Sequence, residues 1–322
     1  MGFQQLGLIG CGLMGASFAL ALQKHQLVGK VVGFSPSQRT RELALQRGVI
    51  HQQAPSIAQA VQGCDLVLLA VPVSRTAECL QAMASTLSPD CLLMDVGSTK
   101  SDVVQAATAC LGERLACFVP AHPIAGKAES GVAHAQADLY QDRRTILTPL
   151  LQTGATQLQA ARWVWGAIGS HVSEMTPQAH DATFAAVSHL PHLLAFAAVN
   201  ALSAQPAGAD FLAMAGPGFR DFSRIAASDP DVWRDILSAN QAEVFTQIRH
   251  FRTALEAFEK AMQSPDPQAL RQLIEQARQV RSGWVLQTGQ TGERRLIEIP
   301  CQLLEWTFKR AGSSPYVFYP FS

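Results

Sequence analysis

Three glycines open the chemistry legible in this chain. Leu6-Gly7-Leu8-Ile9 is apolar and runs into Gly10-Cys11-Gly12-Leu13-Met14-Gly15, with an apolar stretch from Ala16 to Leu22 behind it. Strand, Gly-x-Gly-x-x-Gly, helix is the order that a dinucleotide pyrophosphate requires. Gly10 permits the tight turn, Gly12 lets the backbone approach the phosphates, and Gly15 lets the helix pack close to the strand, its N-terminus facing the anion. Leu13 and Met14 lie in the same turn. Val71 and Pro72, closing the apolar run Asp65 to Pro72, are expected to line the same cofactor. A dehydrogenase preferring NAD carries a carboxylate about 20 positions after the glycines, for the ribose 2′-hydroxyl. Here that place holds Ser35, followed by Pro36-Ser37-Gln38-Arg39-Thr40-Arg41, and no carboxylate comes before Glu42. Small hydroxyls and an arginine suit a 2′-phosphate. NADP is therefore expected over NAD, with Ser35, Arg39 and Thr40 as its contacts; otherwise Arg39 and Arg41 are solvated charges on a surface helix.

Four further pieces carry groups for acid–base work or anion binding. They are Asp95-Val96-Gly97-Ser98-Thr99-Lys100, Ala121-His122-Pro123-Ile124-Ala125-Gly126, Ser188-His189-Leu190-Pro191-His192, and Gly216-Pro217-Gly218-Phe219-Arg220-Asp221-Phe222-Ser223-Arg224, which leads to Trp233. Oxidation of a secondary alcohol gives a hydride to a nicotinamide and a proton to a base. Histidine suits that base because its ordinary pKa lies near 6.5. An arginine holds a carboxylate with two parallel hydrogen bonds. Taken singly these residues have ordinary explanations. A histidine beside a proline in a loop is commonly polar surface, His189 reads as a core histidine bonded to backbone, and Lys100 either lies near the cofactor or ties the end of the sheet.

The elements that must position these groups change character along the chain. Val31 to Phe34, Val49-Ile50, Asp65 to Pro72, Cys91 to Asp95, Leu115 to Val119 and Thr145 to Leu147 read as strands, with a loop from Pro120 to Asp142. Helices are expected from Ser37 to Gln46, Arg75 to Thr86 and Lys100 to Cys110. This alternation predicts an α/β, Rossmann-type doubly wound domain. Beyond about residue 170, Pro177 to Ser203, Asp231 to Met262 and Pro267 to Gln287 read as long helices. The expected division is residues 1–170, a helical domain over 171–291, and a tail over 292–322 without an assigned role.

Bulk properties exclude other classes. The 322 residues carry 25 Lys+Arg against 25 Asp+Glu, so no global field favours nucleic acid or an anionic membrane. The seven cysteines form no Cys-x-x-Cys pair; they read as buried thiols in a reducing compartment, and no metal is expected. The first residues enter a strand with no basic leader, so a cytoplasmic location is expected. The apolar segment Ala182 to Leu202 is interrupted by His189, Pro191, His192 and Asn200, and its longest unbroken run falls well short of the roughly 20 residues a bilayer needs.

Taken in order, the glycine fingerprint, the Gly-Ser-x-Lys loop, the His-Pro-Ile-Ala-Gly loop, the Ser-His-Leu-Pro-His helix and the Gly-Phe-Arg-Asp-Phe-Ser-Arg segment resemble the prephenate/arogenate (cyclohexadienyl) dehydrogenase family of tyrosine biosynthesis. The resemblance runs from about residue 5 to residue 285. It implies oxidative decarboxylation of prephenate or arogenate to 4-hydroxyphenylpyruvate or tyrosine, with hydride transfer to NAD(P). It also implies that His122 is the catalytic histidine on the ring hydroxyl and that Ser98 lies near the same hydroxyl and helps orient it. Arg224 would bind a substrate carboxylate, in preference to Arg220. His192 would be a second active-site histidine and Trp233 a neighbour of the substrate pocket. Homodimerisation through the helical domain follows from the same likeness. The segment departs from the family's usual Gly-Gly-Gly at Pro217, which removes an amide donor. No mutase domain is expected before the fingerprint and no regulatory domain of usual size after the helices. One rival is a 6-phosphogluconate or β-hydroxyacid type dehydrogenase, whose lysine base lies on the first long helix of its second domain; Pro177 to Ser203 contains no lysine. Another is a non-catalytic nucleotide-binding protein, which would not need His122, His192 and Arg224 together.

Overall fold

The computed structural model describes residues 2–127 and 129–285. The sheet grammar expected of the first half is present. Strands β1 (Phe3–Ile9), β2 (Val28–Phe34), β3 (Gln52–Gln53), β4 (Leu66–Leu69), β5 (Leu92–Asp95) and β6 (Phe118–Val119) form one six-stranded sheet in the order β3-β2-β1-β4-β5-β6. Every pairing in it is parallel. The order reverses between β1 and β4, so the crevice in which such sheets bind ligands opens beside the glycine turn.

Alternation along β4 shows why this central strand is apolar throughout. Leu66 and Leu68 join one core with Leu6, Phe18, Tyr140 and Trp165, while Val67 and Leu69 join the other with Val61, Leu80, Met83 and Phe118. A parallel strand covered by helices on both faces has no solvent side to leave polar. The first face is covered by α1 (Leu13–Lys24) and α6 (Ala155–Ala167), whose Phe18 and Trp165 rings lie 4.9 Å apart. The second is covered by α3 (Ile57–Val61), α4 (Thr76–Met83) and α5 (Ser101–Leu111). Helix α2 (Gln38–Gln46) starts on Ser37, whose hydroxyl accepts from Thr40 N–H.

Several expected elements take a different form. Val49 and Ile50 are buried but not a strand, because both amides bond the Ala44 carbonyl and close the end of α2; the ladder begins at Gln52. Within the expected strand Leu115 to Val119, residues Gly112–Cys117 form 3-10 turns and only Phe118–Val119 pairs. The expected loop after Pro120 contains β7 (Ala121–Pro123), antiparallel to β8 (Arg144–Leu147), which pairs in parallel with β9 (His171–Glu174). Residues beyond 170 thus still belong to a sheet.

The second half is helical, as expected. Helix α7 (Pro177–Phe184) continues through a π-turn, Ala185–His189, into α8 (Leu190–Ser203). By length and composition this is the one helix among the described residues that could cross a membrane. Helices α9 (Gly208–Ala213) and α10 (Pro217–Ser223) follow, with Pro217 at the first position of α10. A missing N–H is harmless there, because that amide has no intrahelical partner. The expected helix Asp231 to Met262 is broken into α11 (Pro230–Ala239) and α12 (Gln241–Gln263), since Asn240 leaves the helical conformation to hydrogen-bond elsewhere. Helix α13 covers Pro267–Gly283. The described residues form two compact units, divided between residues 260 and 261; α13 belongs to the second. The expected tail, 292–322, lies outside the described residues.

Gly15 shows how tightly α1 is seated. A Cβ there would strike the Gly10 carbonyl and lie 2.9 Å from Ala70 Cβ and Leu8 Cδ1, whereas one at Gly166 in α6 meets nothing within 4 Å. Gly15→Ala should destabilise the protein by about 1–3 kcal/mol. Gly166→Ala should be neutral or stabilise by up to about 1 kcal/mol, the usual helix-propensity gain. Thermal melts of the two variants check this; equal midpoints would contradict it.

Candidate active site

The glycine turn fits a dinucleotide. Gly10 has φ +98°, and a Cβ on it would strike the Ala70 carbonyl. Gly12 begins α1 in extended conformation, and a Cβ there would meet nothing within 4 Å. Helix α1 has no side-chain cap and no acidic residue in its first turn. Its first amides are therefore left for an anion, and the open space over Gly12 admits one. Val71 and Pro72 follow β4 at the same sheet edge. At the end of β2, Ser35 is buried and its carbonyl is held by the Arg41 guanidinium, which also reaches the Pro36 carbonyl at 3.4 Å. Arg41 is thus tied to the strand end rather than free in solvent. Arg39 is exposed and forms no ion pair among the described residues, and Thr40 is half-buried beside it.

His122 is set by a buried ion pair. Lys100, fully buried, bonds Asp95 and donates to the Ala121 carbonyl at 2.9 Å. Asp95 in turn accepts from Ala121 N–H at 3.0 Å and from Gly97 N–H at 2.8 Å. Both backbone groups of the residue before His122 are therefore fixed to the end of β5. Burying a lysine requires such a complete set of partners. Lys100 ties the end of the sheet, the second of its two sequence readings.

Helices α7 and α8 supply the opposite wall. His122 Nδ1 lies 2.8 Å from His180 Nε2, and His180 Nδ1 lies 2.8 Å from Asp181 Oδ1. The two Asp181 oxygens also accept Lys100 N–H and Ser101 N–H, each at 2.8 Å, so this carboxylate from α7 caps α5. Phe184 packs its ring against both histidines, at 4.9 and 4.5 Å. The π-turn then inserts one residue, and past it His192 stacks on Trp233 of α11 at 3.6 Å. His192 Nδ1 donates to the Ser188 carbonyl at 2.9 Å, which leaves its Nε2 as an acceptor. His189 is buried and bonds the Asn240 side chain at 3.1 Å rather than backbone.

Electrostatics keep these imidazoles neutral. Burial drives His122 well below the usual histidine range, aided by the repulsion that a second proton on the His122–His180 pair would meet and by the Lys100 charge. Burial also lowers His180, against the raising effect of Asp181. His189 is pushed down to about 4 by burial, and His192 is lowered by burial and by Arg224. Burial pushes the Asp181 carboxyl up, but its hydrogen bonds from His180, Ser101 and Lys100 outweigh this and hold it below the ordinary carboxylate value.

His122 thus packs against α7 and Trp233 against α8, and Arg224, at the start of a 3-10 turn after α10, acts on His192 through its charge. Arg220 is exposed and pairs with Asp221. Ser98 is half-buried in the loop after β5 and makes no hydrogen bond among the described residues; the contact orienting His122 comes from His180. His180, Asp181, Phe184 and Asn240 lie outside the segments singled out for chemistry from sequence, and Asp95 opens one of them without an assigned role. A His-Asp pair one turn into an apolar helix was the available signal, because buried polar groups demand partners.

Residues 18–174 match the family model for the prephenate dehydrogenase nucleotide-binding domain, and residues 176–276 match that for the prephenate dehydrogenase dimerization domain. A prephenate dehydrogenase of Bacillus subtilis is 33% identical over 86% of this chain and 75% of its own length. A cyclohexadienyl dehydrogenase of Zymomonas mobilis is 31% identical over 87% of this chain and 95% of its own. The crystal structure of Aquifex aeolicus prephenate dehydrogenase, in complex with hydroxyphenyl propionate and NAD+, superposes with a TM-score of 0.80 at 35% identity, covering 88% of this chain and 97% of that one. The chain belongs to the prephenate dehydrogenase family.

Neutral buried histidines make folding sensitive to acid. Above about pH 6.5 a histidine is neutral in both folded and unfolded chains. As the pH falls below that value the unfolded chain gains the proton first, and stability is lost until the folded pKa is reached. For His189 the window runs from about 6.5 down to about 4, a loss of roughly 3 kcal/mol from this group alone. Melting temperatures recorded between pH 7.5 and 4.5 should hold steady and then fall below about 6.5; a flat profile would contradict the burial of neutral histidines.

Proposed function

We propose that this chain oxidatively decarboxylates prephenate or arogenate in tyrosine biosynthesis, with His122 as the base. The observations that support this are a neutral, anchored His122 packed on α7 and, further along the same continuous helix, His192 stacked on Trp233 within the influence of the Arg224 charge. The two substrates share a 4-hydroxycyclohexadiene ring with a carboxylate. A bound nicotinamide supplies the hydride acceptor. His122 takes the C4 hydroxyl proton as the carbinol carbon becomes a ketone. The resulting dienone loses its carboxylate as CO2, the electron pair enters the ring, and the phenolate oxygen recovers the proton. No metal is needed for these steps: the ring's gain of aromaticity drives the loss of CO2, and the protein supplies a base and anion contacts. Ser98 lies in the loop after β5 for the same hydroxyl, Arg224 pairs with a substrate carboxylate, His192 accepts through Nε2, and Trp233 walls the pocket.

NADP is the preferred cofactor in this proposal, held by Gly10, Gly12, Leu13, Met14 and Gly15 at the pyrophosphate and by Ser35, Arg39 and Thr40 at the 2′-phosphate, with Val71 and Pro72 beside it; NAD serves less well. The lack of a carboxylate at the end of β2 and an exposed Arg39 with no ion pair among the described residues support this. Helix α8 is apolar, yet Ala195 is its only buried residue, which supports a homodimer built through that face. Six thiols without disulfides among the described residues support a reducing, cytoplasmic setting.

Purified protein assayed with prephenate and arogenate should turn over at least one of them. His122→Asn should lower kcat by roughly 10²–10⁴ with little change in KM. Arg224→Ala should instead raise the substrate KM about tenfold or more, through loss of a charge-assisted pair. A His122→Asn enzyme near wild-type kcat, or an Arg224→Ala enzyme with KM within threefold while Arg220→Ala carries the defect, would overturn these roles.

Cofactor choice is read from KM values for NADP and NAD. Arg39→Ala should weaken NADP selectively, and Ser35→Asp should shift preference towards NAD by repelling the 2′-phosphate. A wild-type enzyme using NAD at least as well as NADP would refute the preference.

A further inference from the structure

We propose that His180, backed by Asp181, is a positioning residue that holds His122 in the tautomer with a bare Nε2, the nitrogen that takes the substrate proton in the dehydrogenase chemistry proposed above. The assignment follows by elimination along the chain of contacts. Both Asp181 oxygens already accept a backbone N–H at 2.8 Å, and the group is an ionised acceptor. His180 Nδ1, 2.8 Å from Oδ1, must therefore be the donor. His180 is buried and neutral, so its single proton is spent there and its Nε2 is a lone pair. The 2.8 Å contact from that lone pair to His122 Nδ1 requires the proton to lie on His122 Nδ1. A neutral His122 has no second proton, and its Nε2 is left free.

An imidazole between base and carboxylate does more than orient. A carboxylate placed directly on His122 would raise its pKa, as opposite charges do. The neutral His180 ring fixes the tautomer without that effect, so His122 remains a base that readily gives the proton back to a phenolate. When His122 is cationic, its Nδ1–H still donates to His180, and the Asp181 charge lies one ring further away. Because Asp181 also caps α5, the relay exists only while α7 is docked on the sheet domain.

The test uses the full chain with its histidines 15N-labelled, and His122→Asn to assign the signal. Long-range 1H–15N correlation at neutral pH should find wild-type His122 in the Nδ1–H form. His180→Leu should shift it to Nε2–H and lower kcat about 10–100-fold, the usual size of an orienting-partner effect. The substrate KM and the NADPH affinity, read by fluorescence titration, should stay within threefold. His180→Gln, whose amide oxygen can accept the same proton, should recover most of the rate and the Nδ1–H form, and it stands in if His180→Leu does not fold. Wild-type His122 in the Nε2–H form would overturn the proposal. So would a His180→Leu enzyme within threefold of wild-type kcat, or a His180→Gln enzyme that has the right tautomer but no recovered rate. A wild-type protein with the expected tautomer that turns over neither substrate would leave the relay standing and overturn the proposed function instead.

Discussion

The Asp181 carboxylate is the contact on which the rest of the site depends. It lies in α7, yet it satisfies the first amides of α5 and the Nδ1 proton of His180. A helix start exposes several amides without partners, and a buried one needs an acceptor. Here the acceptor comes from a different part of the chain, so closing α5 and docking α7 are one event. Asn240 secures the arrangement from behind, donating to the Asp181 carbonyl at 2.8 Å and bonding His189. The helical half is thereby keyed to the sheet edge at the place where His122 emerges.

A second buried charge works on the other side of that edge. Lys100 and Asp95 hold Ala121 by both its backbone groups. Neither residue would be stable in the core alone; together they turn the cost of burial into a fixed position for the next side chain. His122 is thus positioned by its backbone from the sheet and by its ring from the helix, and neither constraint uses its Nε2.

Much of the sheet domain could be read from sequence, because its signals are local. The glycine turn follows its strand directly, and β4 and the Leu92–Met94 part of β5 are apolar runs whose two-sided burial allows little else. What escaped depends on contacts distant in sequence. Asn240 breaks a helix that its neighbours would continue, and it does so for a carbonyl 59 residues away. Val49 and Ile50 have strand-forming side chains, but their amides finish α2. Helix α6 is amphipathic only in relation to a sheet face built by residues far upstream. His122 was found through the motif around it; its partner His180 has no such motif, and its role exists only once α7 lies against the sheet.

The π-turn at Ala185–His189 divides α7–α8 into two segments of different helical phase. His180 and Phe184 precede it and pack against His122; His192 follows it and stacks on Trp233. A π-turn is an α-helix carrying one residue too many. Losing a single residue there would leave a perfectly good helix with an intact hydrophobic face, yet rotate everything beyond it by about 100° relative to His180. The two groups of side chains are thus joined by a helix whose length fixes their relative orientation. In descent, that stretch would be held to its count of residues.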